Sequence, residues 1–255
     1  MPIKTNMKSL TPRRQAFKRE IQLLSHGYTN PTAWPDGKIT VLPWDSTVDE
    51  FMLDAQKRSK RDDVLFALIE KVCDLNGGSI DDLIVTELMI ILLTARTMAV
   101  GQGRVHYKST CPMCKAVSDE AITVPDDLER VGEKAPGYPG FDVITLPDCQ
   151  DKVKVRPLMV RDERIVLERP TEQRKAISDR RLRILLSIVS INDSQADTIE
   201  EMVRYHEALS PADVRFLEQQ QDQLSPQLNT NIPHQCDSCG HAYKHVLGFD
   251  TEFFR

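Results

Sequence analysis

The chain has 255 residues, of which 40% are hydrophobic and 28% are charged, an ordinary mixture for a soluble globular protein. Its formal net charge of -5 gives no global electrostatic reason to bind nucleic acid or an anionic membrane surface. The most apolar stretch, residues 88–95, is far shorter than the roughly 20 residues that cross a bilayer, and the polar, basic N-terminus lacks the apolar run of a secretory signal. We therefore expect a protein of a reducing cytoplasm.

Residues 1–30 are predicted to form a separate basic arm, because their lysines and arginines are offset by the single acid Glu20. Thr11 followed by Pro12 is typical of a helix start, and Gly27 of a helix end. In that helix an apolar stripe would lie opposite a basic face. The candidate partner-binding residues are Arg13, Arg14, Phe17, Ile21 and Leu24. Two interpretations stay open: the arm docks on a partner protein or on RNA, or it packs against its own domain.

The first half-domain, residues 31–125, is predicted to be mainly helical. Its predicted elements are a strand at 38–42 and helices from Ser46, at 62–75 and at 79–98. Ser79 with Asp82 is typical of the cap of the last of these helices. That helix is apolar on nearly all sides, so we expect it to be central and buried. Cys73 continues the apolar face of the preceding helix and is expected to be a core residue.

The first half-domain ends in a strand-turn-strand segment that contains one CxxC pair, at residues 111–114. Residues 126–150 are predicted to be a connector that contains several prolines and glycines. The second half-domain, residues 151–255, carries the other CxxC pair at residues 236–239. The remaining predicted elements are strands at 141–146 and 152–157 and helices at 161–169, 171–191, 198–208 and from Ser210.

The two halves share one order of features, which suggests an internal duplication. Residues 36–43 resemble residues 151–157, and helices follow in both halves. One of those helices starts with an acid at its third position, Asp82 or Asp213, and a CxxC pair and a strand come last. We hypothesise that each half donates one pair of ligands to a metal near a pseudo-two-fold axis. The alternative is that the same order recurs by chance.

The candidate metal ligands are Cys111, Cys114, Cys236 and Cys239. Two CxxC turns supply four thiolates, a set that Zn²⁺ favours at a tetrahedral structural site, whereas one turn supplies only half of it. The insert between the pairs, residues 115–235, is much longer than in a simple zinc ribbon. We therefore predict a split zinc ribbon within an α+β fold that is mainly helical and has short antiparallel strands.

Two other uses of these cysteines are weaker. A thioredoxin-like CxxC begins a helix, whose dipole lowers one thiol pKa, but strand-like sequence follows both pairs here. A catalytic zinc keeps an open position and often has a histidine ligand. The nearby histidines are His106, His234, His241 and His245. With four cysteines present, we expect these histidines to stay outside the ligand set.

The motifs favour a protein without enzymatic activity. Gly101-Gln102-Gly103 lacks the third glycine and the preceding strand of a dinucleotide motif. His206 begins a pattern like that of a metalloprotease helix, but Ser210 stands where the second histidine would be. The sequence also has no phosphate loop and no nucleophile elbow. We therefore expect no small-molecule substrate.

Several of these features occur together in one family of phage proteins. They are the strand start at 36–38, the end of the buried helix at 92–96, the CxxC pairs with their strands, the segment 157–162 and the ending Phe253-Phe254. Over about residues 35–255 the chain resembles the baseplate hub-assembly proteins of T-even-type and related contractile-tailed bacteriophages. The basic arm has no counterpart in that pattern.

The resemblance implies a structural or chaperone-like role in building the central hub of a tail baseplate. The partners would be other tail or baseplate proteins. The protein would act in the host cytoplasm during assembly, and its presence in the finished virion tail is left open. Neither a membrane nor a small molecule is an expected partner.

The alternative is a zinc-ribbon phage protein that binds nucleic acid, such as a transcription or replication factor. It would need a basic ribbon face that carries aromatic side chains. The residues that favour it are Lys108, Lys115, Lys244, Tyr107 and Tyr243. The acids that oppose it are Asp119, Glu120, Asp237 and Asp250.

Overall fold

The computed structural model describes residues 18–57, 61–100, 104–135, 137–170, 177–195 and 198–247. Within these ranges the chain forms seven α-helices and short antiparallel strands, so the predicted α+β class is confirmed. The strands make two three-stranded sheets and three two-stranded ones in the same ranges. In this part of the chain, no helix combines the length and the apolar character that crossing a membrane requires.

The first half-domain is built on a small antiparallel sheet in the order β1-β2-β3. Its strands are β1 (Arg19–Gln22), β2 (Lys38–Val41) and β3 (Cys73–Asp74). Its helices are α1 (Ser46–Lys57), α2 (Arg61–Val72) and α3 (Val85–Val100), with a 3-10 helix at Ile80–Asp82. Their apolar faces form one core that includes Trp34, Ile39 and Ile69. The helix α3 is buried along most of its length, as its composition predicts.

The first described residues do not form a helical arm. Residues 19–22 form β1, which pairs antiparallel with β2 so that Ile21 lies opposite Ile39. Ile21 and Leu24 are 5% and 0% exposed, so neither side chain can reach a partner. The helix prediction was wrong there because polar and apolar residues alternate along residues 20–23, the period of a half-buried strand. Arg13, Arg14 and Phe17 lie outside the described residues.

The third helix starts later than predicted. Ser79 caps only the 3-10 helix. Leu83 is extended, and its carbonyl accepts a hydrogen bond from the N–H of Val160 at 2.9 Å. Contact with the second half-domain therefore interrupts the predicted helix. As a result, the acid at the third position of α3 is Glu87 and not Asp82.

The second half-domain has a sheet of the same size and order, β7-β8-β9. Its strands are β7 (Asp142–Thr145), β8 (Lys152–Val155) and β9 (Ile188–Ile191). Its helices are α4 (Val160–Glu168), α5 (Asp179–Ser187), α6 (Ile199–Ala208) and α7 (Pro211–Leu224). The helix predicted at 171–191 is wrong at its end, because the β-branched residues after Ser187 form β9.

In each half-domain, one long hairpin follows the last helix. One consists of β4 (Arg104–Thr110) and β5 (Val117–Thr123), and the other of β11 (Asn231–Gln235) and β12 (Ala242–Val246). Apolar residues from α3 and from both hairpin regions meet in a separate small core that includes Leu93, Val124 and Leu247. The two distant hairpins therefore pack on the same part of the fold.

The predicted connector is tied to both halves. Its strand β6 (Arg130–Val131) pairs with β10 (Gln227–Leu228), just before the second hairpin. Its end supplies β7, which is the first strand of the second sheet. The guanidinium of Arg130 donates to the carbonyl of Gln22 in the first half-domain at 3.3 Å. The connector is thus a folded part of the structure.

The sheets of the two half-domains have equivalent backbone hydrogen bonds. In the first sheet, Leu23 follows β1 and its N–H donates to the carbonyl of Gly37, just before β2, at 2.8 Å. In the second sheet, Leu146 follows β7 and its N–H donates to the carbonyl of Asp151, just before β8, at 2.9 Å. Both leucines are 0% exposed. The first hairpin of each half is therefore closed in the same way, although the loops differ in length.

The third strand of each sheet continues directly from the end of a helix. The N–H of Leu42, just after β2, donates to the carbonyl of Val72, the last residue of α2, at 2.8 Å. In the second half, the N–H of Arg156, just after β8, donates to the carbonyl of Ser187, the last residue of α5, at 2.9 Å. The same junction thus occurs at corresponding positions of both halves.

Candidate metal centre

The two CxxC turns lie at the tips of the two hairpins. We call them knuckle 1 (residues 111–114) and knuckle 2 (residues 236–239). In knuckle 1 the N–H of Cys111 donates to the carbonyl of Ala116 at 2.9 Å. The carbonyl of Cys111 accepts from the N–H of Lys115 at 3.0 Å. Lys115 has a φ of 64°, the left-handed region that turns the chain back into β5.

Knuckle 2 repeats this geometry. The N–H of Cys236 donates to the carbonyl of His241 at 3.0 Å, and the carbonyl of Cys236 accepts from the N–H of Gly240 at 2.7 Å. Gly240 has a φ of 71°, as expected where only glycine avoids steric cost. The two turns therefore present their sulfurs from equivalent backbones.

The structure brings all four candidate ligands together. The four Sγ atoms lie within 4.8 Å of one another. The Sγ atoms of Cys114 and Cys236 are 3.5 Å apart, and those of Cys111 and Cys239 are 3.8 Å apart. Four thiolates about 2.3 Å from a zinc ion would be separated by about 3.8 Å along the edges of a tetrahedron. The cluster therefore has the size that a tetrahedral metal site requires.

Each knuckle has one buried and one exposed cysteine. Cys111 and Cys236, the first cysteine of each knuckle, are 1% and 8% exposed. Cys114 and Cys239, the second of each knuckle, are exposed. This distribution is the same in both hairpins, in agreement with their matching backbones.

The thiols of the cluster have divergent pKa values. The backbone N–H groups of Cys114 and Met113 point at the sulfur of Cys111 and, against the effect of burial, lower its pKa to about 7. The backbone N–H of His241 favours the thiolate of Cys239, but hydrogen bonds with the other sulfurs and burial raise its pKa to about 12. Four adjacent thiolates repel one another, so a bound dication is what allows all four to lose their protons.

A layer of aromatic and polar side chains joins the hairpins behind the sulfurs. A hydrogen bond of 2.9 Å links the hydroxyl of Tyr107 to Nε2 of His234, and one of 2.8 Å links Ser109 to the hydroxyl of Tyr243. The ring of Tyr107 also stacks on that of His245, with centroids 4.7 Å apart. These contacts connect the two hairpins next to the sulfurs.

This layer was not predicted, although the sequence carries a signal for it. Tyr107 and Ser109 lie on one face of β4, and Cys111 follows two residues after Ser109, just beyond the end of the strand. His234 stands in the same relation to Cys236. Side chains that alternate with a metal ligand along a strand point towards the same side as that ligand, which would have identified the layer.

The histidines near the knuckles do not join the cluster of sulfurs. Among the described residues, the four cysteines form the one group of this kind that could hold a metal ion. His106 is exposed on the outer face of β4, whereas His234 and His245 lie in the layer between the hairpins. Burial and the neighbouring His234 lower the pKa of His245.

The other two cysteines lie apart from the cluster. Cys73 is 7% exposed within the first core, as predicted, and burial raises its pKa to about 12. Cys149 is exposed in the turn that precedes β8. Neither belongs to the group of potential metal ligands. Both serve as natural controls for experiments on the cluster.

Two buried carboxylates fix the helices that lead into the hairpins. Glu87 is fully buried at the start of α3, where Oε1 accepts from the N–H of Ser25 at 2.8 Å and Oε2 from the N–H of Ile84 at 2.9 Å. Asp213, fully buried at the start of α7, accepts from the N–H groups of Asp148 at 2.8 Å and Cys149 at 3.3 Å. Each acid therefore connects the start of a helix to the loop after the first strand of the sheet in its own half-domain.

Comparison with known proteins added no relative to these observations: no protein-family model matches the chain, and neither do the curated proteins or the solved structures that were searched.

Proposed function

We propose that this chain is a non-enzymatic structural or assembly protein stabilised by one zinc ion in a split zinc ribbon. The observation that carries the proposal is the cluster of four Sγ atoms within 4.8 Å, contributed by hairpins far apart in sequence. Four thiolates complete the tetrahedral shell of zinc and leave no open position for a substrate or an activated water. Such a site contributes to folding and not to a reaction.

The matching halves support an internal duplication. The equivalent sheets, the helix-to-strand junctions and the two knuckles occur in the same order along the chain. In a duplicated protein each half would contribute one knuckle, and the metal would lie near the pseudo-two-fold axis that relates them. The ion would then connect the two halves directly, which suits a rigid part of an assembly.

The resemblance to contractile-tail baseplate proteins suggests which assembly the protein belongs to. We propose that the chain helps to assemble the baseplate hub through contacts with other tail proteins. A groove of about 330 Å³ is lined in part by Arg180, Arg183 and Glu218. There, Arg180 pairs with Glu218 at 3.1 Å and Arg183 bonds to Glu163 at 2.7 Å. These ion pairs favour a structural surface over an active site.

The experiment that tests the proposal is co-purification of the full chain with the neighbouring tail proteins, with metal content measured on the same sample. We expect a stable complex and about one zinc per chain, since four cysteines complete one site. A chain that carries zinc but binds none of the tail proteins would contradict the baseplate role and leave the metal site intact. A folded chain without metal would contradict the zinc site itself.

The nucleic-acid alternative is less well supported. Exposed basic residues on the hairpins favour it, among them Arg104, Lys108 and Lys244. However, Tyr107 and Tyr243 hydrogen-bond across the layer between the hairpins, so their rings do not form an open stacking surface. A DNA-binding assay at several salt concentrations separates the two proposals. Tight binding with a steep salt dependence would favour the alternative.

A further inference from the structure

The sulfurs of the cluster form two close pairs that each join one knuckle to the other. Cys114 in knuckle 1 lies 3.5 Å from Cys236 in knuckle 2, and Cys111 lies 3.8 Å from Cys239. A disulfide requires an S–S distance of about 2.05 Å, so each pair must close by less than about 2 Å. A movement of that size is within the range of a side-chain rotation.

Each pair combines an exposed cysteine with a buried one. Cys114 and Cys239 are exposed, whereas Cys111 and Cys236 are 1% and 8% exposed. An oxidant in solution therefore meets one member of each pair first. The buried member, which lies in the opposite knuckle at 3.5 or 3.8 Å, is then in position to attack the oxidised sulfur.

The hairpins are held together by more than the sulfurs. The hydrogen bonds from Tyr107 to His234 and from Ser109 to Tyr243 cross the same interface. Leu93, Val124 and Leu247 pack together beneath the two hairpins. Loss of the metal during oxidation would therefore leave the sulfur pairs close enough to react.

We propose that this cluster is also an oxidation site, at which a hydroperoxide replaces the metal link between the halves by two disulfides, Cys114–Cys236 and Cys111–Cys239. The inference rests on the proposed zinc site, and it adds a defined covalent product to it. The bonds would join the same two chain segments that the metal joins. The protein would thus keep its halves connected in an oxidising environment, where thiolates are lost.

The chemistry balances with hydrogen peroxide as the oxidant. The exposed thiolate attacks one peroxide oxygen, the O–O bond breaks, and a sulfenic acid and a hydroxide ion form. The buried thiolate of the opposite knuckle then attacks the sulfenic sulfur, and the second hydroxide leaves as the disulfide forms. Each disulfide consumes one peroxide, whose two oxygens are reduced as two thiolates are oxidised. Bound zinc would be released, because thiolates, and not disulfides, are its ligands.

The test uses the full, zinc-loaded chain with Cys73→Ser and Cys149→Ser, so that only the four cluster cysteines can react. Metal content is measured first, and the protein is then treated with hydrogen peroxide. A colour-forming chelator follows zinc release, and mass spectrometry of non-reduced peptides identifies the disulfides. We expect zinc release in step with the two disulfides that join the knuckles, at least tenfold more abundant than disulfides within a knuckle.

Two double variants provide a matched comparison. Cys114→Ser with Cys236→Ser keeps the pair Cys111 and Cys239, one of which is exposed, and should still form a disulfide. Cys114→Ser with Cys239→Ser keeps only the two buried cysteines and should form at least tenfold less in the same time.

Three results would be decisive against these proposals. Disulfides mainly within a knuckle, or sulfonic acids without cross-links, would overturn the oxidation site while the measured zinc upholds the metal site. A folded chain that takes up no zinc would overturn the metal site, on which the oxidation site rests. The peptide map of the chain with all four cluster cysteines decides the question even if a double variant fails to fold.

Discussion

Glu87 and Asp213 occupy corresponding positions in the two half-domains. Each is the third residue of the helix that leads towards a knuckle-bearing hairpin. Glu87 accepts the N–H of Ser25, two residues after Leu23, and Asp213 accepts the N–H of Asp148, two residues after Leu146, both at 2.8 Å. Since these leucines close equivalent strand pairs, the acids anchor the same loop in each half.

The carboxylate of Asp213 should stabilise the fold at neutral pH. Burial raises its pKa, but hydrogen bonds from the backbone N–H groups of Asp148 and Cys149 and from Ser210 lower it below the ordinary value. Its contribution is therefore complete above the pKa of the unfolded chain, about 3.9, and is lost as the pH falls through the lower folded value. Asp213→Asn should lower Tm by several degrees at pH 7 and by less at pH 3. Thermal unfolding at both pH values measures this.

The control for Asp213→Asn is Asp222→Asn, because Asp222 is exposed on the same helix. It should leave Tm nearly unchanged at both pH values. An Asp213→Asn variant as stable as the wild type at pH 7 would contradict the anchoring role.

Glu87 should have the opposite pH dependence. Burial dominates and raises its pKa, although N–H groups of Ser25 and Ile84 favour the carboxylate. A raised folded pKa means that the contribution of Glu87 is complete below the unfolded value of about 4.3 and is lost as the pH rises through the folded value. Glu87→Gln cannot ionise and should remove this decline in stability between acid and neutral pH. Denaturant unfolding across that interval measures the effect, with the exposed Glu50→Gln as control.

The hydrogen bond between Ser109 and Tyr243 should contribute to the packing of the hairpins. Tyr243→Phe removes the hydroxyl from a bond to the fully buried Ser109 and should cost about 1 kcal/mol of unfolding free energy. A double-mutant cycle with Ser109→Ala should give a coupling energy of similar size. Additive losses from the two substitutions would show that the hairpins do not meet through this bond.

Leu24 should act in the core and not in partner binding. It is 0% exposed, so Leu24→Ala should cost about 2–5 kcal/mol of unfolding free energy through lost burial and an internal cavity. Leu53→Ala, at a side chain that is 59% exposed on α1, should change stability by less than about 0.5 kcal/mol. A stable Leu24→Ala variant that had lost partner binding would restore the original prediction for this residue.

The clustering of Cys111, Cys114, Cys236 and Cys239 could be predicted from the sequence because a CxxC turn determines the direction of two sulfurs locally. The burial of α3 could also be predicted, since its composition leaves no polar face. The strand at residues 19–22 was missed because the spacing of Ile21 and Leu24 also fits a helix. The alternation of polar and apolar residues along 20–23 favours a strand, and the pairing of Ile21 with Ile39 confirms it.

The start of α3 could not be predicted from local sequence patterns either. Ser79 and Asp82 satisfy the rules for a helix cap, but Leu83 instead bonds to Val160 in the other half-domain. The order of features suggested the duplication hypothesis, but it matched Asp82 to Asp213, whereas Glu87 holds the third position of α3. The correct match depends on which carboxylate reaches the loop after the first strand, a tertiary relationship.

The most direct test of the central claim is the zinc content of the purified chain, compared with that of Cys236→Ser and Cys149→Ser. The zinc site predicts about one zinc per chain for the wild type and for Cys149→Ser, since Cys149 lies outside the cluster. It predicts a large loss of zinc, together with a lower Tm, for Cys236→Ser. A wild-type chain that is folded and zinc-free after purification with zinc present, or a Cys236→Ser variant that retains its zinc and its stability, would contradict the account.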